Sequence, residues 1–386
     1  MSDMRLSTAD AVVVGGGIIG TSITYYLAKM GLKVELVERK GIAAGTSSAC
    51  ADALVLQTKA PGLKLTLAME SVEMYRRLGQ ELDCDLEFRN EGGMVVAMNQ
   101  AELEYVEGLA AKLRGSGVPV ELLDAKSARE IQPALTPKLL AATYCPLDCH
   151  LNPLKVSPGF ARASQKLGAV IRTRTEVTGI DVQNGRVVGV STSNGRIDTP
   201  IAIDSAGIWA PDIARMVGID LDVVPRRGQI LVTEALPMVV KGRVFGASYL
   251  MGKLQKLGGE GESRPSSYSS GMAVGQQPNG NFIIGATREF VGANTSNTFE
   301  AIADLSRQTV ELFPILSKVQ IIRVFSGLRP AALSGMPTIK RYLEPEGFIV
   351  AAGHEGDGIC LSPITGKIVA EIVAGKFDDY HQYVKC

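Results

Sequence analysis

Six residues near the amino terminus, Gly15-Gly16-Gly17-Ile18-Ile19-Gly20, constrain this chain more than any others. They satisfy G-x-G-x-x-G, and their neighbours complete a dinucleotide-binding unit. The apolar run Ala11–Val14 reads as a short buried strand. Ile19, Ile23, Tyr26 and Leu27 are spaced for one face of a helix over 18–30, which Gly31 closes. Residues 33–38 (KVELVE) read as a second strand ending in an acid, Glu38, about 20 residues beyond the glycines. Gly15 permits the tight turn, Gly17 lets the backbone approach a pyrophosphate, and Gly20 lets the helix pack on the strand. Ile18 and Ile19 open a helix whose free N–H groups and positive dipole end face phosphate. Glu38 would accept hydrogen bonds from ribose hydroxyls and repel a 2′-phosphate, which disfavours NADP. The fingerprint alone does not separate FAD from NAD.

The rest of the composition excludes several classes. A length of 386 residues gives two to three domains as a prior. Forty basic and forty acidic residues leave zero formal charge, which argues against sequence-independent nucleic-acid binding. Three histidines, His150, His354 and His381, make a histidine-rich metal site a poor expectation. Cys145 and Cys149 form C-x3-C beside His150, but further ligands at fixed spacing are missing, so no metal is expected. No run of eighteen apolar residues and no signal peptide are evident, so the expectation is no transmembrane segment, reduced thiols and a cytoplasmic location. Peripheral attachment at the inner membrane is the alternative.

The segment after Glu38 favours a flavin. Residues 39–53 are small and hydroxyl-rich, not the third apolar strand of an NAD domain. Small residues let a planar ring lie against the backbone, and Thr46, Ser47 and Ser48 could serve phosphate or ribitol oxygens. An ordinary serine-rich loop is the competing reading. Further along, an alternating stretch from Thr175 carries Asn-Gly hairpin turns at 184–185 and 194–195. A buried strand over 201–204 then runs into Ser205-Ala206-Gly207-Ile208-Trp209-Ala210. Near the end, a strand over 347–352 opens into Gly353-His354-Glu355-Gly356-Asp357-Gly358-Ile359, with a helix expected over 363–374. This is a second glycine-rich turn leading to a helix.

Together VVVGGGIIG (12–20), Glu38, Val177, SAGIWA (205–210), SGLRPA (326–331), GMPTI (335–339) and GHEGDGI (353–359) resemble the FAD-dependent amine and amino-acid oxidase superfamily. That superfamily includes D-amino-acid oxidase, glycine oxidase and sarcosine oxidase. The matching segments run from end to end in the family's order. Within it, TSSACADALVLQTK (46–59) points towards flavin-carrying subunits of heteromeric bacterial dehydrogenases. Those act on opines or on proline and hydroxyproline, or belong to hydrogen cyanide synthases. The resemblance implies an α/β fold: a Rossmann-like FAD-binding domain with a discontinuous α+β substrate domain built on a mixed or antiparallel sheet. FAD-binding pieces are expected at 1–85, 150–222 and 324–386, and substrate-domain pieces at 86–149 and 223–323. It implies FAD as cofactor and an amino acid, imino acid or opine as substrate, with FMN or iron–sulfur subunits as candidate partners. To the FAD site it adds Arg39, Val177, Ala206, Gly207, Trp209, Gly353, His354, Gly356, Asp357, Gly358 and Ile359.

Oxidising an amino acid with flavin requires a clamped carboxylate, a C–H aimed at flavin N5 and a neutral amine. Arg329, in Gly327-Leu328-Arg329-Pro330, is the first choice for the clamp, because a guanidinium matches a carboxylate bidentately. The resemblance assigns it that place, close to the cofactor. A structural ion pair is the competing reading. Asp52 could pair with a substrate ammonium or cap a helix. Tyr249, with Tyr268, Thr287 and Arg288, could roof the ring or merely decorate a strand. Arg226-Arg227-Gly228-Gln229 lies where a strand over 223–234 would cross between domains. A hairpin is expected around Pro278-Asn279-Gly280, a helix over 298–313, and a mobile loop over 253–270.

The leading expectation is an FAD-dependent amino-acid or secondary-amine dehydrogenase that forms an imine and passes electrons to a partner. The alternatives are a self-contained oxidase producing hydrogen peroxide, an FAD-stabilised assembly subunit with little activity alone, and an NAD-dependent dehydrogenase.

Overall fold

In the computed structural model, residues 5–254 and 268–380 are described. The fingerprint strand Ala11–Val14 lies inside a six-stranded sheet. The strand order is Thr338–Arg341, Phe348–Ala352, Ala202–Asp204, Ala11–Val14, Val34–Val37 and Val170–Arg172. All neighbours are parallel except the first pair. A parallel sheet is stable only with both faces covered, and period-two alternation divides its residues accordingly. Ala11, Val13, Leu36, Ile203 and Ile349 pack with residues of the helices Ile18–Lys29, Pro153–Lys166 and Gly358–Val373. Val12, Val14, Val37, Phe348 and Val350 pack instead with Val187, Val190 and Ile197. Those three belong to the meander Val177–Gln183, Arg186–Thr192 and Gly195–Asp198, whose last strand pairs in parallel with Arg5–Thr8. The Asn-Gly turns lie in this meander, as the spacing predicts.

A ten-stranded sheet holds the second core. Its spine is Val223–Ala235, paired antiparallel with Ile321–Ala332 along almost its whole length, from Val223↔Ala332 to Thr233↔Ile321. On its other edge lie Asn281–Gly285 and Arg288–Glu289. The hairpin Ala273–Gln276 with Asn281–Gly285 forms as expected, and Gly93–Ala97 and Ala141–Cys145 extend the sheet from an earlier part of the chain. The helix Phe299–Leu312, capped by Thr298, packs on it through Leu305 and Leu312. A short pairing of Ala53–Leu54 with Cys149–His150 ties a loop of the amino-terminal segment to the strand end at 150.

The residues before SGLRPA belong to the same long strand, Ile321–Ala332, whose start is exposed, with Ile322 61% exposed. One expectation needs correction: the carboxyl-terminal helix begins at Gly358, not 363, with Pro363 inside it. A proline there cannot donate to the carbonyl four residues back, that of Ile359. The Tyr75 hydroxyl donates to that carbonyl at 2.6 Å, so the helix continues without a stranded acceptor. Of the loop expected at 253–270, residues 255–267 lie outside the described residues; 253–254 end the helix Ala247–Leu254, and Tyr268–Ser269 is a short strand. Among the described residues, no helix is long and apolar enough to cross a membrane.

Candidate functional site

One cavity runs from the opening glycine turn, between the sheets, to the closing glycine turn, with Gly15, Gly17, Ile18, Ile19, Gly353 and Gly356–Ile359 in its wall. At its first end the helix Ile18–Lys29 has glycine, Gly17, as its N-cap, which offers no side chain to the first turn, so the positive dipole end faces the cavity. Ile18 N–H donates to Ser47 Oγ at 2.9 Å, and Glu38 accepts from the N–H groups of Gly16 (2.8 Å) and Lys40 (2.7 Å). A Cβ on Gly20 would collide with the Gly15 carbonyl oxygen, so the helix can lie this close only with glycine there. Arg39 stacks on the Trp209 ring, 4.0 Å from its centroid, and Val177, Ala206 and Gly207 continue the wall. Thr46 lines the cavity, but its hydroxyl donates to the Leu328 carbonyl and so ties the loop to the long strand. Ser48 is exposed, donates to Gly45, and is not in the wall.

At the closing turn His354 is buried, with Nε2 3.1 Å from Thr365 Oγ1. Burial, aided by the Lys64 charge, pushes its imidazole down to about 3, so it is neutral at ordinary pH and organises the turn. Asp357 is enclosed too. Burial would raise its carboxyl, but lysines hold it well below the usual range: Lys253 Nζ at 2.8 Å, Lys59 Nζ at 3.0 Å and Lys64 Nζ at 3.6 Å.

The neutral His354 has a measurable consequence. An unfolded histidine takes up its proton near pH 6.5. Between there and about 3 the unfolded chain binds the extra proton, so stability falls as pH drops, by up to ~1.4 kcal/mol per unit. Asp148 acts oppositely. Burial lifts it to about 6 against hydrogen bonds from Gln57 and Leu56, so between about 4 and 6 the folded chain gains stability as pH falls. His354→Asn is expected to flatten the acid-side loss and Asp148→Asn to steepen it. Thermal melts of the cofactor-loaded protein from about pH 4 to about pH 7 check this; parallel profiles for wild type and His354→Asn would remove His354 from the account.

The remaining wall is arginine-rich. Arg329 enters from the long strand, and its Nη1 donates to the Thr287 carbonyl at 2.9 Å. Its nearest carboxylate oxygen, Glu355 Oε1, is 3.9 Å away, and the same oxygen is 3.6 Å from Arg226. Burial pushes Arg226 down to about 10, partly offset by Glu355. Glu355 has φ 51°, a left-handed conformation that a non-glycine residue adopts only under constraint. Enclosure would raise its carboxyl, but Arg329, Arg288 and Lys253 hold it below its usual range. Tyr249 faces the same space: enclosure would raise its phenol, and Arg288, Lys253 and Arg329 together lower it.

Asp52 does not reach this space. It is fully buried behind the wall, with Oδ1 2.8 Å from Arg243 Nη1 and Oδ2 accepting from Gln277. Its expected pairing with a substrate ammonium is therefore corrected: the carboxylate is already taken, and Arg243 stands between it and the cavity. Cys145 and Cys149 are buried free thiols, whereas His150 Nε2 faces Glu91 at 2.9 Å. Sequence reasoning missed Arg243, Lys59, Lys253 and a role for Glu355, and it weighed Arg288 only as a residue that could roof the ring or decorate a strand. Their partners lie far away in the chain, so no local spacing marks them.

The first turn fits the diphosphate and ribose of a dinucleotide: a helix start with glycine at its N-cap, glycines where a side chain would intrude, and an acid at the second strand's end. The second turn lies on the same cavity. The profile of a family described as FAD dependent oxidoreductase matches residues 10–372. The chain is 27% identical to the hydrogen cyanide synthase subunit HcnC of Pseudomonas aeruginosa, over 95% of this chain and 92% of that one. It is 28% identical to a glycine oxidase of Bacillus licheniformis, over 95% and 93%. A crystal structure of glycine oxidase from Bacillus cereus superposes with a TM-score of 0.86, at 25% identity and 97% coverage of both chains.

Proposed function

Because this chain belongs to the FAD dependent oxidoreductase family, we propose that it oxidises the C–N bond of an amino acid or secondary amine to an imine, as the catalytic subunit of a dehydrogenase complex. The observation that carries this reading is Arg329, a guanidinium in the cavity wall with no carboxylate closer than 3.9 Å among the described residues. A cation placed there suits a substrate carboxylate. FAD, when bound, supplies a two-electron acceptor. Gly15, Gly17, Ile18 and Ile19 would hold its diphosphate, Glu38 its ribose, and the N–H groups of Gly358 and Ile359 the pyrimidine end of the ring, beside Gly356, whose N–H donates to Glu355. Segments 1–85, 150–222 and 324–386 would form the FAD-binding domain, and 86–149 and 223–323 the substrate domain. Arg329 would fix the carboxylate, and Tyr249, which lines the same cavity, would face the amine end. The substrate C–N unit gives up a hydride and a proton, and water then hydrolyses the imine.

The likeness to a synthase subunit supports electron transfer to a partner. The equal likeness to a glycine oxidase supports a second reading, direct reaction with oxygen. A purified yellow protein should be bleached anaerobically by one member of a panel of glycine, sarcosine, D-amino acids, proline, hydroxyprolines and opines. Dye reduction without oxygen uptake favours the complex; peroxide formation at a matching rate favours the oxidase. A flavin that no amine or amino acid reduces would overturn the proposal.

A further inference from the structure

The long strand Val223–Ala235 carries cations on one face in a pattern that one monocarboxylate does not satisfy. Arg226 pairs with Arg329 across the sheet and Gly228 with Gly327, so these four share a face. On the opposite edge Arg227 pairs with Glu289, which puts Glu289 on the other face and its neighbour Arg288 on the same face as Gly228. Gly228 makes room for the Arg329 guanidinium and Gly327 for the backbone of Ala49, and both border the cavity; Arg288 and Arg329 reach it from strands on opposite sides of the spine. Such strands lie about 10 Å apart.

Arg288 is 2% exposed and lines the cavity. Its guanidinium stacks on Tyr249, 4.1 Å from the ring centroid, and makes a long contact of 3.5 Å to the Tyr249 carbonyl. Its Nε has no partner, and no carboxylate lies within ion-pair distance of it among the described residues. The adjacent acid, Glu289, is used by Arg227 at 2.5 Å and by Gln229. Glu355 is nearer to Arg226 than to Arg329. Arg288 and Arg329 in the cavity wall therefore face one carboxylate, Glu355, which Arg226 also shares. Lys59 and Lys253 free no anion for them: with Lys64 they share the single carboxylate of Asp357, which adds to the positive surplus. Neither Arg288 nor Arg329 has a close carboxylate of its own, and unpaired buried charge is strongly unfavourable, so the ligand that belongs here brings one anionic group to each.

We propose that this end of the cavity takes substrates with two carboxylates: Arg329 receives the one beside the oxidised C–N bond and Arg288 the second, remote one. This rests on the reading of the chain as an amino-acid or amine dehydrogenase. The substrate class is then an acidic amino acid or a secondary amine bearing two carboxyl-substituted carbons. Neutral monocarboxylate amino acids leave Arg288 without a counter-ion.

The test compares substrates matched except for the second carboxylate: alanine with aspartate, and N-methylalanine with N-(carboxymethyl)alanine, in both enantiomers, with a dye acceptor. The dicarboxylates are expected to have kcat/KM higher by ~10- to 100-fold, the range of a charge-assisted contact. Arg288→Gln should raise their KM by a similar factor and that of the monocarboxylates clearly less, so that the preference for dicarboxylates shrinks. Arg288→Lys, which keeps the charge without the fork, gives an intermediate loss and serves if the glutamine variant does not fold. Equal losses on both substrate classes would mean that the two arginines hold one carboxylate, and would overturn the proposal; so would a preference for monocarboxylates. Calorimetric titration of the holoenzyme with succinate and glutarate against acetate needs no turnover. Arg288-dependent binding of the diacids in an enzyme that oxidises no amine would sink the amine reading and leave the two-carboxylate subsite standing.

Discussion

Gly228→Ala is expected to raise the substrate KM by about 100-fold while FAD remains bound, because a displacement of about 1 Å at a positioned group is worth that much. Gly228 touches no reacting atom by itself. Its importance is the space above it: a Cβ there would fall 2.5 Å from Arg329 Cζ, inside the guanidinium. Arg329 also cannot retreat freely, since its Nη1 is held by the Thr287 carbonyl at 2.9 Å. The added methyl must therefore push the guanidinium out of line with the substrate carboxylate. Arg329→Lys should act in the same direction, since lysine keeps the charge but loses the two-pronged geometry. Steady-state kinetics with flavin absorbance as the check on cofactor content decides it. A Gly228→Ala enzyme with full flavin and unchanged KM would show that Arg329 does not clamp the substrate.

Asp52→Ala should lower the unfolding free energy by about 3–5 kcal/mol, the loss typical of breaking one side of a buried ion pair. Asp52 and Arg243 are both essentially inaccessible, and their contact is 2.8 Å. Burial would lift the Asp52 carboxyl, but Arg243, the nearby His150 and the hydrogen bond from Gln277 hold it well below its usual range. A folded-state value below the unfolded one contributes stability that is present above about pH 4 and lost only on strong acidification. Truncation leaves the Arg243 guanidinium buried without its counter-ion, beside His150 and against a strand where Gly275 makes room for it. Replacing both partners by apolar residues, Asp52→Leu with Arg243→Met, should recover most of the loss. Denaturant unfolding of the cofactor-loaded protein measures it. A change under about 1 kcal/mol for Asp52→Ala would mean that water reaches the pair.

The positions of Asp52 and Ser48 show where reading from the chain stopped. Both stand in a small, polar run that belongs beside a cofactor by composition, yet Ser47 from the same run is the one that meets the helix start, through Ile18 N–H. One-residue spacing in a 3-10 turn decides which hydroxyl points inward, and composition carries no such information. Arg288 illustrates the other limit. As a residue in TREF it could roof the ring or merely decorate a strand; the pairing of Arg227 with Glu289 turns it inward and leaves it without an acid.

The amino-acid order by itself determined the strand, turn and helix proposed to cradle the cofactor. A strand, a glycine turn, a helix and an acid lie within forty residues, and their requirements are local: period-two and period-3.6 burial, and backbone that only glycine allows to come close. The second turn at Gly353 was legible for the same reason. Tertiary structure alone decided which charges neutralise each other and which remain for a ligand. Asp52 with Arg243, Lys59 with Asp357 and Glu355 between two arginines are partners brought together by sheet register and domain packing. In a low-dielectric interior an ion pair depends on a few ångströms of placement, which no spacing along the chain encodes.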